Sequence, residues 1–173
     1  TTLTVAGEGA WTVDPVTGAV TFTPEAGFTN DPTPVNYVVS DLAGIIGSVG
    51  CIEVAYPPTA PNAVDEIQTG TLGQPVVIDV LGNDTDLEGD IDPTSVKLID
   101  PNSGLEVTTL TVAGEGAWTV DPVTGAVTFT PEAGFTNDPT PVNYVVSDLT
   151  GNKSNQASIV VAYPPTAPNA VDE

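Results

Sequence analysis

WTVDPVTGAVTF, residues 118–129, contains two short runs in which apolar and polar residues alternate: Trp118/Val120 and Val127/Phe129. Period two is the mark of a half-buried strand. The DPVTG between the runs, with proline after aspartate and glycine at its end, is a turn. Working outward, Val76/Ile78/Val80, Val96/Leu98, Val142/Tyr144/Val146 and Ile159/Val161/Tyr163 keep the same alternation. DPNSG (100–104), PEAGF (131–135) and DLTGN (148–152) punctuate them. No segment keeps a helical period. With a strand near 66–71 the count is about seven, and LEVTTLTV (105–112) is an extra candidate.

Short strands at this spacing predict an all-β fold, an immunoglobulin-like β-sandwich. The fold is repeated. TTLTVAGEGAWTVDPVTGAVTFTPEAGFTNDPTPVNYVVSDL fills residues 1–42 and recurs letter for letter at 108–149, an offset of 107 residues. The match fails over 43–53 and resumes with VAYPPTAPNAVDE at 54–66 and 161–173. A period of this length is that of a single domain. The expected organisation is the second half of one repeat (1–58), a proline-rich linker (59–65), a complete repeat (66–163) and the start of the next linker (164–173). Prolines stiffen such linkers, so a semi-rigid rod is expected. The chain starts at Thr1 rather than Met and reads as a piece of a longer array.

The half repeat cannot close a sandwich alone. Strands within 66–100 are expected to pair with 108–163, because reaching back to 1–58 would ask nine extended linker residues to span about 30 Å. The half repeat is then expected to be disordered, or to be completed by strand exchange with another molecule.

Charge narrows the function. The chain has 23 acids, two bases (Lys97 and Lys153) and no histidine, for a net charge of −21. That balance excludes nucleic acid, whose phosphates need Lys and Arg, and equally an anionic membrane surface. A single cysteine, Cys51, gives no intrachain disulfide framework. No apolar run of about 20 residues spans a bilayer, and no signal peptide is visible.

The acids concentrate in NDTDLEGDID, residues 83–92, where Asp84, Asp86, Glu88, Asp90 and Asp92 occupy alternate positions. At roughly 6–7 Å spacing each adjacent pair repels by about 0.6 kcal/mol in water, and more at lower dielectric. Either the loop is fully solvated or a cation neutralises it. Calcium takes six to eight oxygens in flexible geometry, with a glycine at the sharp turn, and Gly89 fits that place. The loop is not an EF-hand: Ser95 stands where that motif needs a glutamate, and the flanks read as strands. Magnesium, which keeps most of its waters, fits less well. In immunoglobulin strand order the 81–94 loop, the 121–125 turn, the 148–153 turn and the linker acids Asp65 and Glu66 return to one end. The candidate calcium ligands are therefore Asp65, Glu66, Asp84, Asp86, Glu88, Asp90, Asp92 and Asp148, with Asp121 nearby.

APNAVDE, PVVIDVLGNDTDLEGD, GEGAWTVDPVTGAVTFTPEAGF and PVNYVVSDLTGNKSN together resemble the tandem immunoglobulin-like and cadherin-like repeats of giant bacterial surface adhesins. The GEGAWTV…TFTPEAGF segment is closest to the CshA-type fibril repeat. The whole period resembles extender modules of repeats-in-toxin adhesins. The resemblance implies an extracellular, cell-surface spacer whose calcium ions stiffen the junctions and whose partners are neighbouring repeats of the same chain. The family loop is usually NDTD-x-DGD after AVDD; Glu88 and Glu66 stand here in place of aspartates.

Other readings remain beside it: a domain that itself binds host glycan or protein, and an accessory module of a carbohydrate-active enzyme. Trp11 and Trp118 alternate with core positions and read as core rather than as sugar platforms. GEGAW (114–118) lacks phosphate-loop spacing. Serine and cysteine nucleophiles have no histidine base, and paired carboxylates for glycoside hydrolysis lack an evident cleft. The threonines of TTLTV and TFT are too few for a flat ice-binding array. The divergent AGIIGSVGCIE (43–53) replaces TGNKSNQASIV and loses the equivalents of Asn152 and Asn155.

Overall fold

The computed structural model describes residues 1–165. The expected next linker (164–173) thus lies almost wholly outside the described residues. The chain divides into two compact units, Thr1–Pro57 and Pro58–Glu173.

The first unit has five strands: β1 (Thr2–Val5), β2 (Gly9–Val13), β3 (Val20–Pro24), β4 (Val35–Tyr37) and β5 (Gly50–Ile52). They form a three-stranded antiparallel sheet in the order β1-β2-β3 and a two-stranded pair β4-β5. Trp11, in β2, is its buried anchor and lies 4.8 Å from Phe22, centroid to centroid. Cys51 is free and exposed.

The second unit has nine strands among the described residues: β6 (Glu66–Thr69), β7 (Val76–Ile78), β8 (Ile91–Ile99), β9 (Glu106–Val107), β10 (Thr109–Val112), β11 (Gly116–Val120), β12 (Val127–Pro131), β13 (Val142–Asp148) and β14 (Ala157–Ala162). One sheet has the order β10-β11-β12-β7, the other β6-β14-β13-β8-β9. All neighbours are antiparallel except β6 and β14, which run parallel. Both sheets supply one hydrophobic core: Val76, Ile78, Trp118, Val127 and Phe129 from the first, and Val96, Leu98, Tyr144, Val146, Ile159 and Val161 from the second. At about 1.5–3 kcal/mol for each fully buried large side chain, these alternating positions supply the main driving force for folding. The unit is all-β, as its alternation predicts, with Trp118 fully buried at its centre.

The expected count of about seven strands falls short because LEVTTLTV forms two. Glu106–Val107 pairs with β8, the chain bends at Thr108, and Thr109–Val112 pairs with β11 in the other sheet. The third strand is also longer than its apolar pair suggests. It starts at Ile91, so Asp92 belongs to β8 and not to the acidic loop. In β13 the register against β8 shifts between Val145 and Ser147, a bulge that lets adjacent Val145 and Val146 both be buried. Among the described residues, no helix is long and apolar enough to cross a membrane.

Candidate metal centre

The acidic loop joins β7 to β8, and its shape is set by Asp86. One carboxylate oxygen of Asp86 accepts the backbone N–H groups of Glu88 (2.9 Å) and Gly89 (2.8 Å), so the side chain closes a turn on its own backbone. Gly89, at φ +74°, provides the left-handed residue that the turn needs. With Oδ1 so engaged, Asp86 Oδ2 is left buried without a hydrogen-bond partner, and so is Asp90 Oδ1. One carboxylate oxygen from each of Asp86, Glu88 and Asp90 lies within 4.8 Å of the others. Burial raises the pKa of Asp90, and the neighbouring carboxylates of Asp86 and Asp148 raise it further. These three side chains can chelate a divalent cation; an all-oxygen anionic set suits a hard one.

Asp148 closes β13 at this end and is only 3% exposed. Its burial acts to raise its pKa, but bonds from Asn152 and Thr150 outweigh that, and the carboxyl is held below its ordinary value. The Asn152 side chain donates to it at 2.8 Å and the Thr150 hydroxyl at 2.9 Å.

A second acidic group lies beneath the loop. Asp84 Oδ1 accepts the backbone N–H of Val64 (2.8 Å) and lies 2.8 Å from the Tyr144 hydroxyl. Asp84 Oδ2 and Glu66 Oε1 are buried without partners. Burial raises the pKa of Asp84, with a contribution from the charge of Asp79, against the lowering effect of Val64 and Tyr144. Glu66 is raised by burial first, then by Asp84 and Asp79. The Tyr144 hydroxyl is pushed far above its usual range, by burial and then by Asp84.

The eight candidate ligands therefore separate. Asp86, Glu88 and Asp90 come together, with Asp148 close enough for its charge to act on Asp90. Glu66 and Asp84 share the second group. Asp65 is in neither group, and its Oδ1 accepts the backbone N–H of Ser158 at 2.7 Å. Asp92 lies outside the cluster of Asp86, Glu88 and Asp90, in β8, where its Oδ1 accepts both the N–H (2.9 Å) and the hydroxyl (2.7 Å) of Thr94. Asp121 likewise accepts Val123 and Thr124 N–H within its own turn.

Three segments interlock here. The Asn62 N–H donates to the Thr85 carbonyl at 2.7 Å, and the Thr85 N–H returns to Asn62 at 3.1 Å. The Thr59 hydroxyl donates to Glu88 at 2.8 Å. Leu149 N–H donates to the Asp90 carbonyl at 2.9 Å. Asn155 grips both backbone groups of Ala63, at 3.0 and 2.8 Å. The proline-rich segment is thus stitched to both the acidic loop and the 148–155 turn.

Asp79 and Asn155 were not among the sequence candidates. Asp79 sits inside the apolar run VVIDV, where it reads as a solvent-facing strand residue. Asn155 did carry a signal: it is one of the residues lost from the divergent 43–53 stretch, where Ser48 occupies its place.

An all-β tandem-repeat module, with a proline-rich segment bonded to an acidic loop, is the class of protein that this architecture defines. The family described as the surface adhesin CshA repetitive domain matches residues 1–49 and 58–161, and the chain belongs to that family. The module is accordingly a non-catalytic adhesin repeat, extracellular and at the bacterial cell surface. No curated protein sequence matches the chain significantly.

Proposed function

We propose that the chain is a calcium-stiffened spacer of a large adhesin, an extender that holds other, ligand-binding parts away from the cell. Calcium would be held by Asp86, Glu88 and Asp90, with Asp148 contributing charge. Glu66 and Asp84 provide a further acidic pair beneath them, and Asp65 and Asp92 keep structural roles. The two unpartnered buried oxygens, Asp86 Oδ2 and Asp90 Oδ1, carry this reading. Buried carboxylate oxygens without donors are costly unless a cation completes them. When bound, the ion neutralises the loop that Thr59 and Asn62 join to the linker, which fixes the direction in which the linker leaves the domain.

The immunoglobulin-like sandwich belongs to the same reading. It is supported by the parallel pairing of the unit's first and last strands and by one core drawn from both sheets. Domain limits near 66 and 163 follow, with 59–65 as the linker and 1–58 as the second half of a preceding repeat. The resemblance to repeats-in-toxin extenders rests on the acidic loop and on the linker stitched to it. Two near-identical copies suit a length-giving role better than a distinct ligand-binding one.

Melting the full chain in EDTA, calcium or magnesium tests the proposal. At a hundredfold excess over the dissociation constant, ligand linkage stabilises by about 2.7 kcal/mol. For a domain of this size that raises Tm by more than about 10 °C. The gain should be much smaller with magnesium and absent in Asp86→Ala. Coincident curves in calcium and EDTA would refute the ion site.

A further inference from the structure

The first and last strands of the second unit are neighbours, and they run in the same direction. β6 lies at the edge of its sheet beside β14, in the register Glu66↔Ile159, Ile67↔Val160, Gln68↔Val161 and Thr69↔Ala162. The chain therefore comes in at one end of this pair and goes out at the other. β14 is anchored in the core by Ile159 and Val161, both fully buried. β6 has no such anchor: none of its four side chains is buried, and Ile67 is 78% exposed. What holds β6 in the sheet is its main-chain ladder with β14.

Both ends of the ladder are locked. At the entry, Asp65 Oδ1 accepts the Ser158 N–H at 2.7 Å, so a side chain extends the pairing by one step. At the exit, the Gly70 N–H donates to the Ala162 carbonyl at 2.9 Å, and the Tyr163 N–H to Asp138 Oδ1 at 2.6 Å. The Tyr163 ring lies over Gly70, where a Cβ would come within 2.6 Å of it. None of these contacts uses Asp86, Glu88 or Asp90.

We infer that β6 and β14 form a shear clamp, which keeps the unit folded when the chain is pulled lengthwise. The inference rests on the spacer reading, since a spacer at the cell surface passes tension from one repeat to the next. Tension that enters through 58–65 and leaves through Tyr163 draws β6 and β14 past each other along their length. The ladder bonds then share the pull and must fail together, whereas a pull across the ladder opens them one after another. Forced unfolding is governed by the unfolding barrier, and the direction of pull sets how many bonds must break to cross it. Strands β7–β13 lie outside this path, so the core is spared until the clamp opens. Asp65, which belongs to neither acidic group, gains a role here: it adds a bond to the ladder at the end where tension arrives.

Single-molecule pulling on the full chain, in two directions, tests the clamp. Cys51, free and exposed, is one attachment point in both. In a Glu173→Cys chain the pull runs along the ladder; in a Gln156→Cys chain, whose second point lies just before β14, it runs across. Opening of the second unit is recognised by a length gain of roughly 300 Å, from about 100 residues at 3.3–3.6 Å each. At one pulling speed the lengthwise force should be at least about twice the crosswise one, in EDTA as in calcium, because several ladder bonds share it. Asp65→Ala should lower the lengthwise force, and Asp65→Asn, which keeps an acceptor oxygen, should not. Equal forces in the two directions would overturn the clamp. So would a difference present in calcium and absent in EDTA: the ion-held loop would then carry the tension, and the spacer reading would stand without the clamp. A directional difference in a chain whose melt ignores calcium would support the clamp and remove the ion.

Discussion

Asn155 holds Ala63 by both of its backbone groups: the amide oxygen accepts the Ala63 N–H at 3.0 Å and the amide nitrogen donates to the Ala63 carbonyl at 2.8 Å. Ala63 is itself buried, so water cannot replace either bond without entering the core. Asn155→Ala therefore leaves a buried donor and a buried acceptor unpaired. That costs about 1–3 kcal/mol for each group that stays unsatisfied. The expected fall in Tm is about 5–15 °C at the low end of that range. Asn155→Asp should retain the accepted bond, lose the donated one, and fall between. A melt unchanged by Asn155→Ala would mean that the proline-rich segment is not held by this residue.

Tyr144 places one hydroxyl against three oxygens: the carbonyls of Val64 and Val80, each at 3.0 Å, and Asp84 Oδ1 at 2.8 Å. It has one proton to give, so it cannot satisfy them all. Tyr144→Phe keeps the ring in the core and removes that donor. The expected loss is about 1–3 kcal/mol, read from chemical denaturation. The loss should shrink when Asp84→Asn is also present, because part of the penalty is the unneutralised carboxylate. Strict additivity of the two substitutions would show that the Tyr144–Asp84 contact carries no coupling energy.

The strand pattern was readable because burial on one face forces period two, and Trp118, Phe129, Tyr144 and Ile159 obey it. Period two fails where the backbone departs from a regular strand. Thr108 bends the chain from one sheet to the other, so one apolar run became β9 and β10. In the acidic loop, alternation suggested five equivalent carboxylates. Direction there is set by turns, not by period: Asp86 and Asp92 each cap their own turn through Oδ1, but it is Asp86 Oδ2 that is left buried beside Glu88 and Asp90. Asp79 was hidden for the opposite reason, since a strand residue between valines reads as solvent-facing. Asn155 was visible only as a difference between the two copies, which marks a position without saying what it touches.

Acid should stabilise the metal-free protein before it destabilises it. Glu66, Asp84 and Asp90 have folded pKa values raised above their ordinary 4.5, 3.8 and 3.8. For a raised carboxyl the folded state binds the proton more tightly than the unfolded chain. Its destabilising charge is fully expressed above the folded pKa and relieved as pH falls toward the ordinary value. Asp148 and Asp121 are lowered, so their contribution is present above 3.8 and lost as pH drops through their folded values. In EDTA, Tm should therefore rise as pH is lowered from 7 toward the ordinary carboxyl range, and decline at more acid pH as Asp148 and Asp121 take up protons. In calcium the trend should reverse, because protons compete with the ion for the same oxygens. A Tm in EDTA that falls steadily as pH is lowered from 7 into the carboxyl range would show that these acids are relaxed without metal.

Gly18 and Gly125 end identical DPVTG turns, both at φ +74°, yet only one is crowded. A Cβ on Gly125 would lie 2.7 Å from the Pro93 carbonyl oxygen, 2.8 Å from Val96 Cγ2 and 3.2 Å from Leu81 Cδ1; at Gly18 nothing lies within 4 Å. Alanine at either site incurs about 1 kcal/mol for its left-handed backbone. At Gly125 overpacking adds about 1–3 kcal/mol. Gly125→Ala should thus lower the main transition by roughly 10 °C or more, while Gly18→Ala leaves that transition in place. The crowding atoms at Gly125 all come from the 58–107 segment. The contrast between the two substitutions therefore reads how tightly that segment packs on the 121–125 turn. Equal effects of Gly18→Ala and Gly125→Ala on that transition would show that the packing around Gly125 contributes nothing to stability.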